Sequence, residues 1–490
     1  MRDARCGIAG DRLAAPEAEF RAMVQAAVDR LVSYFGTLGT EPVVRPTTSA
    51  ALRERLDEPL PQEGSDFAEI LAELEATVFQ FSRHNAHPGF FGYISSPGTP
   101  VNAVGSLIQS ALNINVTCWR SAPAGTEMEH VAIRWLKEML GMPAAAGGLL
   151  TSGGSMANFA GLAAARTAKA PGDVVRDGLT GLGRPMCVYV STEGHFSIAK
   201  AAGMLGLGER NVRQVRTNGR LQIDLGDLEL QVRTDRAAGA IPFCVVANAG
   251  TTATGAVDPI GPLADFAERE RLWLHVDAAY GGFAALAPSA RHLLKDIGRA
   301  DSVALDPHKW MYLPVGCGCV LYRDPETARA AFGHSAEYTR TIGLEQDEAF
   351  AFWDYGPELS RPFRALEVWL LIKYVGARFL GEAIDRNIQC AKLLEKLVEE
   401  SPDLEMLAPV ELSVFCFRHT AATGDLNQVN ERILVELQRG GSTYLSNATV
   451  NGKFGLRGCV LNFRTTEEDM KRVLADVRTA ARKVTAMPDL

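Results

Sequence analysis

From about Gly147 the chain alternates short apolar runs with amphipathic stretches, and no other feature restricts its fold as strongly. The runs 148–150, 186–190, 241–247, 272–276, 303–305 and 317–322 have strand length, while 156–169 and 262–271 repeat apolar residues at helical spacing. Strands that alternate with helices predict an α/β domain built on a mainly parallel central sheet.

The flanks read differently. Residues 17–38 place Phe20, Val24, Ala27, Leu31 and Phe35 on one helical face, with Gly36 and Gly39 as terminators. A proline-punctuated stretch, 41–63, separates them from a second amphipathic segment, 67–81, so this region reads as arms rather than a compact domain. Beyond Arg364 the pattern is helical over 364–378 and 381–400, followed by strand candidates at 412–417 and 456–463. The expected division is an N-terminal helical arm for dimerisation, 1–94, a large domain, 95–375, and a small C-terminal α+β domain, 376–490.

Composition removes whole classes of function. With 50 Lys and Arg against 58 Asp and Glu, the formal charge of −8 disfavours a protein built to coat nucleic acid or anionic lipid. The start, Met1 to Cys6, lacks the apolar core of a secretory signal, and the greasiest later stretch, 237–250, is too short to span a membrane and holds Pro242 and Asn248. A cytoplasmic protein without membrane or nucleic-acid partners is expected. The nine cysteines are scattered, and the close pair Cys317 and Cys319 lacks the second pair of a zinc site, so they read as buried thiols and no metal is expected.

The unusual polar clusters fall at strand ends, where open α/β sheets bind ligands: Thr151 to Ser155, Glu193 to His195, Asn248 to Thr252, Asp277, and Asp306 to Lys309. Gly153, Gly154 and Ser155 open an alanine-rich helix whose free N–H groups suit a phosphate; a plain loop capped by Ser155 is the alternative. No GxxxxGK[ST] or GxGxxG pattern supports a nucleotide there. Lys309, set among apolar neighbours, could be a neutral amine that forms a Schiff base, or a turn lysine. Asp277 ends an apolar strand and needs a cationic or donor partner, Ala278 and Ala279 leave room for something flat, and His195 could stack on it or sit satisfied in the core. Together these describe pyridoxal 5'-phosphate better than other common cofactors.

The segments 87–93 (HPGFFGY), 151–158, Gly194-His195, 250–252, His275 to Gly281, Asp306 to Trp310, 361–366 and Leu456-Arg457 closely resemble the group II pyridoxal-phosphate-dependent decarboxylases. The resemblance covers nearly the whole chain from about residue 17. It implies fold type I, the aspartate aminotransferase-like fold, as a homodimer with wrapped N-terminal helices and the active site at the interface. It implies Lys309 as the Schiff-base lysine, Asp277 at the ring nitrogen, His195 stacked on the ring and Thr251 near its substituents. Gly154, Ser155 and His308 would contact the phosphate, with Ala279 and Asp306 also at the cofactor.

The implied reaction is decarboxylation of a small L-amino acid, aromatic by first choice, to the amine and carbon dioxide. Phe90, Phe91, Tyr93, Ile94 and Arg457 are candidates for holding that substrate. Aliphatic or acidic substrates, an aldehyde synthase, and a non-catalytic binding protein of the same fold are the alternatives; the set Lys309, Asp277 and His195 argues against the last. Two departures stand out. Asp306 occupies a place where several relatives have asparagine, and an ionised carboxylate there would repel a phosphate dianion unless it points away or holds a proton. Where aromatic decarboxylases carry a tyrosine that protonates Cα, an ungapped count back from Arg361 gives Phe352, with Tyr355 and Tyr338 nearby.

Overall fold

The computed structural model describes residues 13–334 and 348–486. Seven strands form the main sheet: β1 (Gly147–Thr151), β2 (Met186–Ser191), β3 (Val212–Val215), β4 (Ile241–Asn248), β5 (Trp273–Asp277), β6 (Ser302–Leu305) and β7 (Gly318–Tyr322). Their spatial order is β1-β7-β6-β5-β4-β2-β3. β7 alone runs antiparallel to its neighbours β1 and β6; the pairs β6–β5, β5–β4, β4–β2 and β2–β3 are parallel. β2, β5, β6 and β7 are buried along their whole length, as expected for strands covered by helices on both faces. Each fully buried Val or Leu there contributes about 1.5–3 kcal/mol.

All six expected strand runs are strands. β3 escaped the sequence reading because four residues, Val-Arg-Gln-Val, show too little alternation to be noticed. The helix Gly154–Lys169 buries Ala157, Ala160, Gly161, Ala163, Ala164 and Ala165, and these small side chains let its axis lie close to the sheet.

A second sheet in the order β10-β11-β9-β8 is antiparallel throughout: β8 (Leu404–Met406), β9 (Val414–His419), β10 (Ser446–Val450) and β11 (Lys453–Cys459). The expected run 456–463 leaves the ladder after Cys459, whose N–H donates to Phe91 O while Val460 N–H donates to Ser413 O. Helices Leu426–Gly440 and Glu467–Ala486 pack on this sheet. The two helical stretches expected beyond Arg364 join as one element, Arg364–Glu399, broken at Gly376, where φ is 79° and ψ 154°. Only glycine adopts that conformation without strain.

The N-terminal region contains helices Glu17–Thr37, Ser49–Leu56 and Phe67–Leu74, the last continued by a π-turn, Glu75–Phe79. Ser49–Leu56 lies inside the stretch read as proline-punctuated loop; the Thr48 side chain accepts from Ala51 N–H and starts it. Between and after these helices the chain docks on the second sheet: Val43 N–H donates to Gly441 O and Phe91 N–H to Tyr444 O.

Candidate active site

The carboxyl ends of β1, β2, β4, β5 and β6 lie along one edge of the main sheet, and each is followed by one of the polar clusters singled out in the sequence. All five clusters contribute to the wall of one cavity of about 340 Å³, lined among others by Ser152 to Ser155, His195, Thr251, Asp277, Ala279, Asp306, His308 and Lys309. Glu193 does not line it.

At one end of the cavity the chain turns from β1 into the helix Gly154–Lys169. Gly153 occupies the cap position, so Ser155 lies inside the first turn, and no side chain caps the N–H groups. The turn is pressed in from two sides. A Cβ on Gly318 would stand 2.5–2.7 Å from the Gly153 backbone, and one on Gly154 would stand 2.6 Å from Asp306 Oδ2 and 2.9 Å from Ala279 Cβ. Uncapped N–H groups with the positive end of the helix dipole, open to a cavity, suit an anion.

Asp306 ends β6 and is 2 % exposed. Its Oδ2 lies 2.9 Å from Lys309 Nζ and 3.7 Å from His308 Nε2. Its Oδ1 and His308 Nδ1 are buried without a protein hydrogen-bond partner. Burial lowers the His308 pKa, with the Asp306 charge opposing it.

On the opposite wall, Asp277 Oδ2 accepts from Asn158 Nδ2 at 2.9 Å and Oδ1 from Ala279 N–H at 3.2 Å. His195 Nδ1 lies 2.8 Å from Ser197 Oγ and accepts from Ser197 N–H, which leaves Nε2 as the nitrogen that carries hydrogen in the neutral ring. Burial lowers the His195 pKa, with Asp277 opposing. Thr251 Oγ1 is engaged locally, 2.9 Å from Thr254 Oγ1 and accepting from Ala256 N–H. Tyr280 closes one corner: its ring stacks on Trp310 at 5.0 Å, and its hydroxyl lies 2.7 Å from Ser413 Oγ and accepts from Ser413 N–H.

The remaining predicted residues lie elsewhere in the chain. Tyr355 stacks on Phe350 and lines a separate cavity with Glu127, His130 and Asp354. Phe352 is fully buried beneath the Arg361 guanidinium, 4.2 Å from its ring centroid. Tyr338 lies outside the described residues. Phe91 packs on Phe415 in the core of the second sheet, and Phe90 stacks on Tyr444. Ile94 packs against the large core. Tyr93 is half exposed with φ at 56°, and its carbonyl accepts from the buried Arg457, whose other arm donates to Thr252 O at 2.7 Å. Arg457 therefore braces the loop after β4 rather than lining the cavity.

Sequence reasoning assigned no role to Asn158, Ser197 and Tyr280 on or behind this wall, and missed the buried ion pair between Arg361 and Glu129 behind β1. Asn158 and Asp277 are 119 residues apart, so no spacing could have joined them. One local signal existed: Gly161 in the middle of an alanine-rich helix marks a close approach by another element.

An anion cradle, a lysine at the far side of it, a buried carboxylate with two N–H donors and a flanking imidazole fit pyridoxal phosphate part by part, and the unpartnered His308 Nδ1 offers the cradle a further polar contact. Fold and site define an α/β pyridoxal-phosphate enzyme. The chain matches the profile "Pyridoxal-dependent decarboxylase conserved domain" over residues 50–420. It is 36% identical to an aromatic-L-amino-acid decarboxylase of Bacillus atrophaeus across 95% of this chain and 96% of that protein. A phenylacetaldehyde synthase of a Rosa hybrid cultivar is 29% identical over 92% and 91%. The crystal structure of Oryza sativa TDC with PLP and tryptamine superposes with a TM-score of 0.89 at 28% identity, covering 96% of this chain and 99% of that one.

The chain belongs to the pyridoxal-dependent decarboxylase family, of fold type I: it is an amino acid decarboxylase, a carboxy-lyase whose cofactor is pyridoxal 5'-phosphate and whose substrate is an amino acid.

Proposed function

We propose that the protein converts an aromatic L-amino acid to the amine and carbon dioxide in the cavity at the sheet edge. The observation that carries this reading is the convergence of five strand-end clusters on one cavity, with Lys309 and Asp277 both on its wall. The aromatic choice is supported by similarity to the Bacillus atrophaeus enzyme.

When bound, pyridoxal phosphate supplies the electron sink for the pair left as carbon dioxide departs. The roles of the chain's own residues follow from their placement. Gly154 and Ser155 present uncapped N–H groups to the phosphate, with His308 beside them. Asp277, Ala279 and His195 all line the cavity: Asp277 would hold the proton on the ring nitrogen, Ala279 would leave room beside it, and His195 would lie against the ring. Lys309 is the amine that would hold the cofactor aldehyde. Lys309 must be neutral to react, and Asp306 Oδ2, at 2.9 Å, is positioned to take its proton. Arg457 acts on the substrate side through Tyr93 and Thr252, whose carbonyls it holds.

The proposed assembly is a homodimer with residues 1–94 as its arm, joined to a large domain, 95–375, and a small one, 376–490. Support comes from an apolar cavity of about 370 Å³ lined by Val24, Leu31, Phe35, Phe67, Val104 and Leu107, and from the exposed side chains of Val28, Val32, Leu107 and Ile108 around it. Apolar surface this continuous marks an interface. Tyr355, the candidate proton donor to Cα, lines another cavity within the chain, so that role would require it to reach the site of the partner subunit. The proposed compartment is the cytoplasm, in keeping with free, mostly buried thiols among the described residues, where no helix is long and apolar enough to cross a membrane.

The test is a panel of amino acids assayed together for carbon dioxide, amine, ammonia and peroxide. Carbon dioxide and amine in equal amounts from aromatic substrates are expected. Ammonia equal to carbon dioxide would replace this reading with an aldehyde synthase, and turnover restricted to acidic or aliphatic substrates would refute the aromatic assignment. Lys309→Ala is expected to abolish the visible absorbance of the bound cofactor.

A further inference from the structure

Behind the cavity wall lies a file of buried polar side chains that the roles above leave unused. Trp273 Nε1 donates to Ser302 Oγ at 2.8 Å, and Ser302 Oγ lies 2.8 Å from His275 Nδ1. His275 Nε2 lies 2.8 Å from Asn158 Oδ1, and Asn158 Nδ2 lies 2.9 Å from both Asp277 Oδ2 and Ser197 Oγ. Ser197 Oγ in turn meets His195 Nδ1. His275 and Ser302 are fully buried, and Asn158 is 1 % exposed.

Heavy atoms alone leave the histidine tautomer and the amide orientation open, but the donors and acceptors here settle both from either end. At the core end, indole N–H can only donate, so Ser302 Oγ accepts from Trp273, and its own hydrogen, with His275 Nδ1 as the one acceptor in reach among these bonds, goes to that nitrogen. That ring then carries its hydrogen on Nε2. At the cavity end, the Asp277 carboxylate can only accept, so Asn158 turns its NH2 toward Asp277 and its oxygen toward His275, which again requires hydrogen on His275 Nε2. Both routes give the same directed file: Trp273 to Ser302 to His275 to Asn158, and from Asn158 to Asp277 and, through Ser197, to His195. Burial pushes the His275 pKa down to about 4, with Asp277 opposing, so the ring is neutral near pH 7.

The helix that carries Asn158 is built to admit this ring. A Cβ on Gly161 would lie 2.6 Å from His275 Cε1 and 2.7 Å from Nδ1. Glycine at that position is what allows an imidazole on β5 to reach under the helix.

We infer that His275 is a positioning residue for the reaction: by holding the Asn158 amide in one orientation, it aims Asp277 at the cofactor ring nitrogen and His195 at the ring. This inference rests on the proposed role of Asp277. Without the His275 N–H, the Asn158 oxygen loses its donor, and the amide is held from one end only, by Asp277 and Ser197, so its angle toward Asp277 is no longer fixed.

The test uses holoenzyme loaded with ring-¹⁵N pyridoxal phosphate. His275→Leu, which keeps volume but removes both nitrogens, is expected to lower kcat by roughly ten- to a hundredfold with little change in KM. It should also move the ring-nitrogen signal toward the unprotonated form. His275→Gln, whose amide can donate to Asn158 Oδ1, is expected to recover much of both. A His275→Leu holoenzyme with unaltered kcat and ring-nitrogen signal overturns the inference, as does failure of the Gln variant to recover either. In wild-type protein labelled at histidine nitrogens, His275 is expected as the Nε2–H tautomer, and finding the Nδ1–H form overturns the inference without any variant having to fold. Asp277→Ala separates the two levels: a protonated ring nitrogen and retained turnover in that variant would refute the role of Asp277 itself.

Discussion

The ion pair between Arg361 and Glu129 is the most exacting place to perturb this protein. Its side chains are 1% and 0% exposed. Glu129 Oε1 accepts from Arg361 Nη2 and from Leu150 N–H, while Arg361 also donates to Val116 O and Leu150 O. The pair thus ties the loop before helix Pro123–Met139, the segment leading to helix Arg364–Glu399, and the last turn of β1 before the phosphate cradle. Glu129→Ala leaves a buried guanidinium without its carboxylate and the Leu150 amide without an acceptor. Breaking such a pair costs about 3–5 kcal/mol, a large part of a typical domain stability of about 5–15 kcal/mol. In urea unfolding followed by circular dichroism, with an m-value of about 3 kcal/mol/M, the midpoint is expected to fall by about 1 M or more. Because Leu150 precedes Thr151 and the glycine turn, the same variant should release its cofactor faster. The double variant Glu129→Leu with Arg361→Met removes both charges and is expected to recover most of the loss, since apolar replacement of a buried pair is often neutral. A single-variant loss below about 1 kcal/mol, or a double variant less stable than the single, would refute the account of a buried charge held by its partner.

Gly154→Ala forces a methyl against Asp306 and Ala279, and this overpacking should lower stability by about 1–3 kcal/mol in a denaturation curve and weaken cofactor binding in a fluorescence titration. Asp306→Asn cannot take the Lys309 proton, so Schiff-base formation followed by stopped flow should slow. His275 links stability to acid. Unfolded imidazole binds a proton below about 6.5, whereas the buried ring does so only near 4, so the unfolded state holds the extra proton between these values. Stability contributed by the neutral ring is therefore complete above pH 6.5 and falls by about 3 kcal/mol as pH drops to 4; His275→Gln should flatten that part of a denaturation profile.

The strands and their polar ends were legible because period and composition are local properties. Met186–Ser191 and Ile241–Asn248 announce themselves as apolar runs bounded by turn residues, and Asp277 and Lys309 stand out against the apolar residues before them. The substrate side was not legible in the same way. Phe91 and Tyr93 are adjacent to glycines in an aromatic-rich loop, yet one is in the core and the other on the surface, because the partner that decides is the second sheet more than 300 residues later. Asn158 and Glu129 were invisible for a related reason: a buried polar group is defined by what the fold brings to it, here His275 and Arg361. Gly376 lies inside the first expected helical stretch, 364–378, and its positive φ breaks the helix two residues before that stretch was expected to end.

Tyr280 carries a mechanical consequence. Its ring is pinned face to face on Trp310, directly after Lys309, while its hydroxyl is held by both the backbone and the side chain of Ser413, one residue before β9. A jaw-like parting of the two sheets would have to strip a buried phenol of both partners or drag Trp310 with it. The corner behaves as a rivet that ties the wall of the cavity to the second sheet.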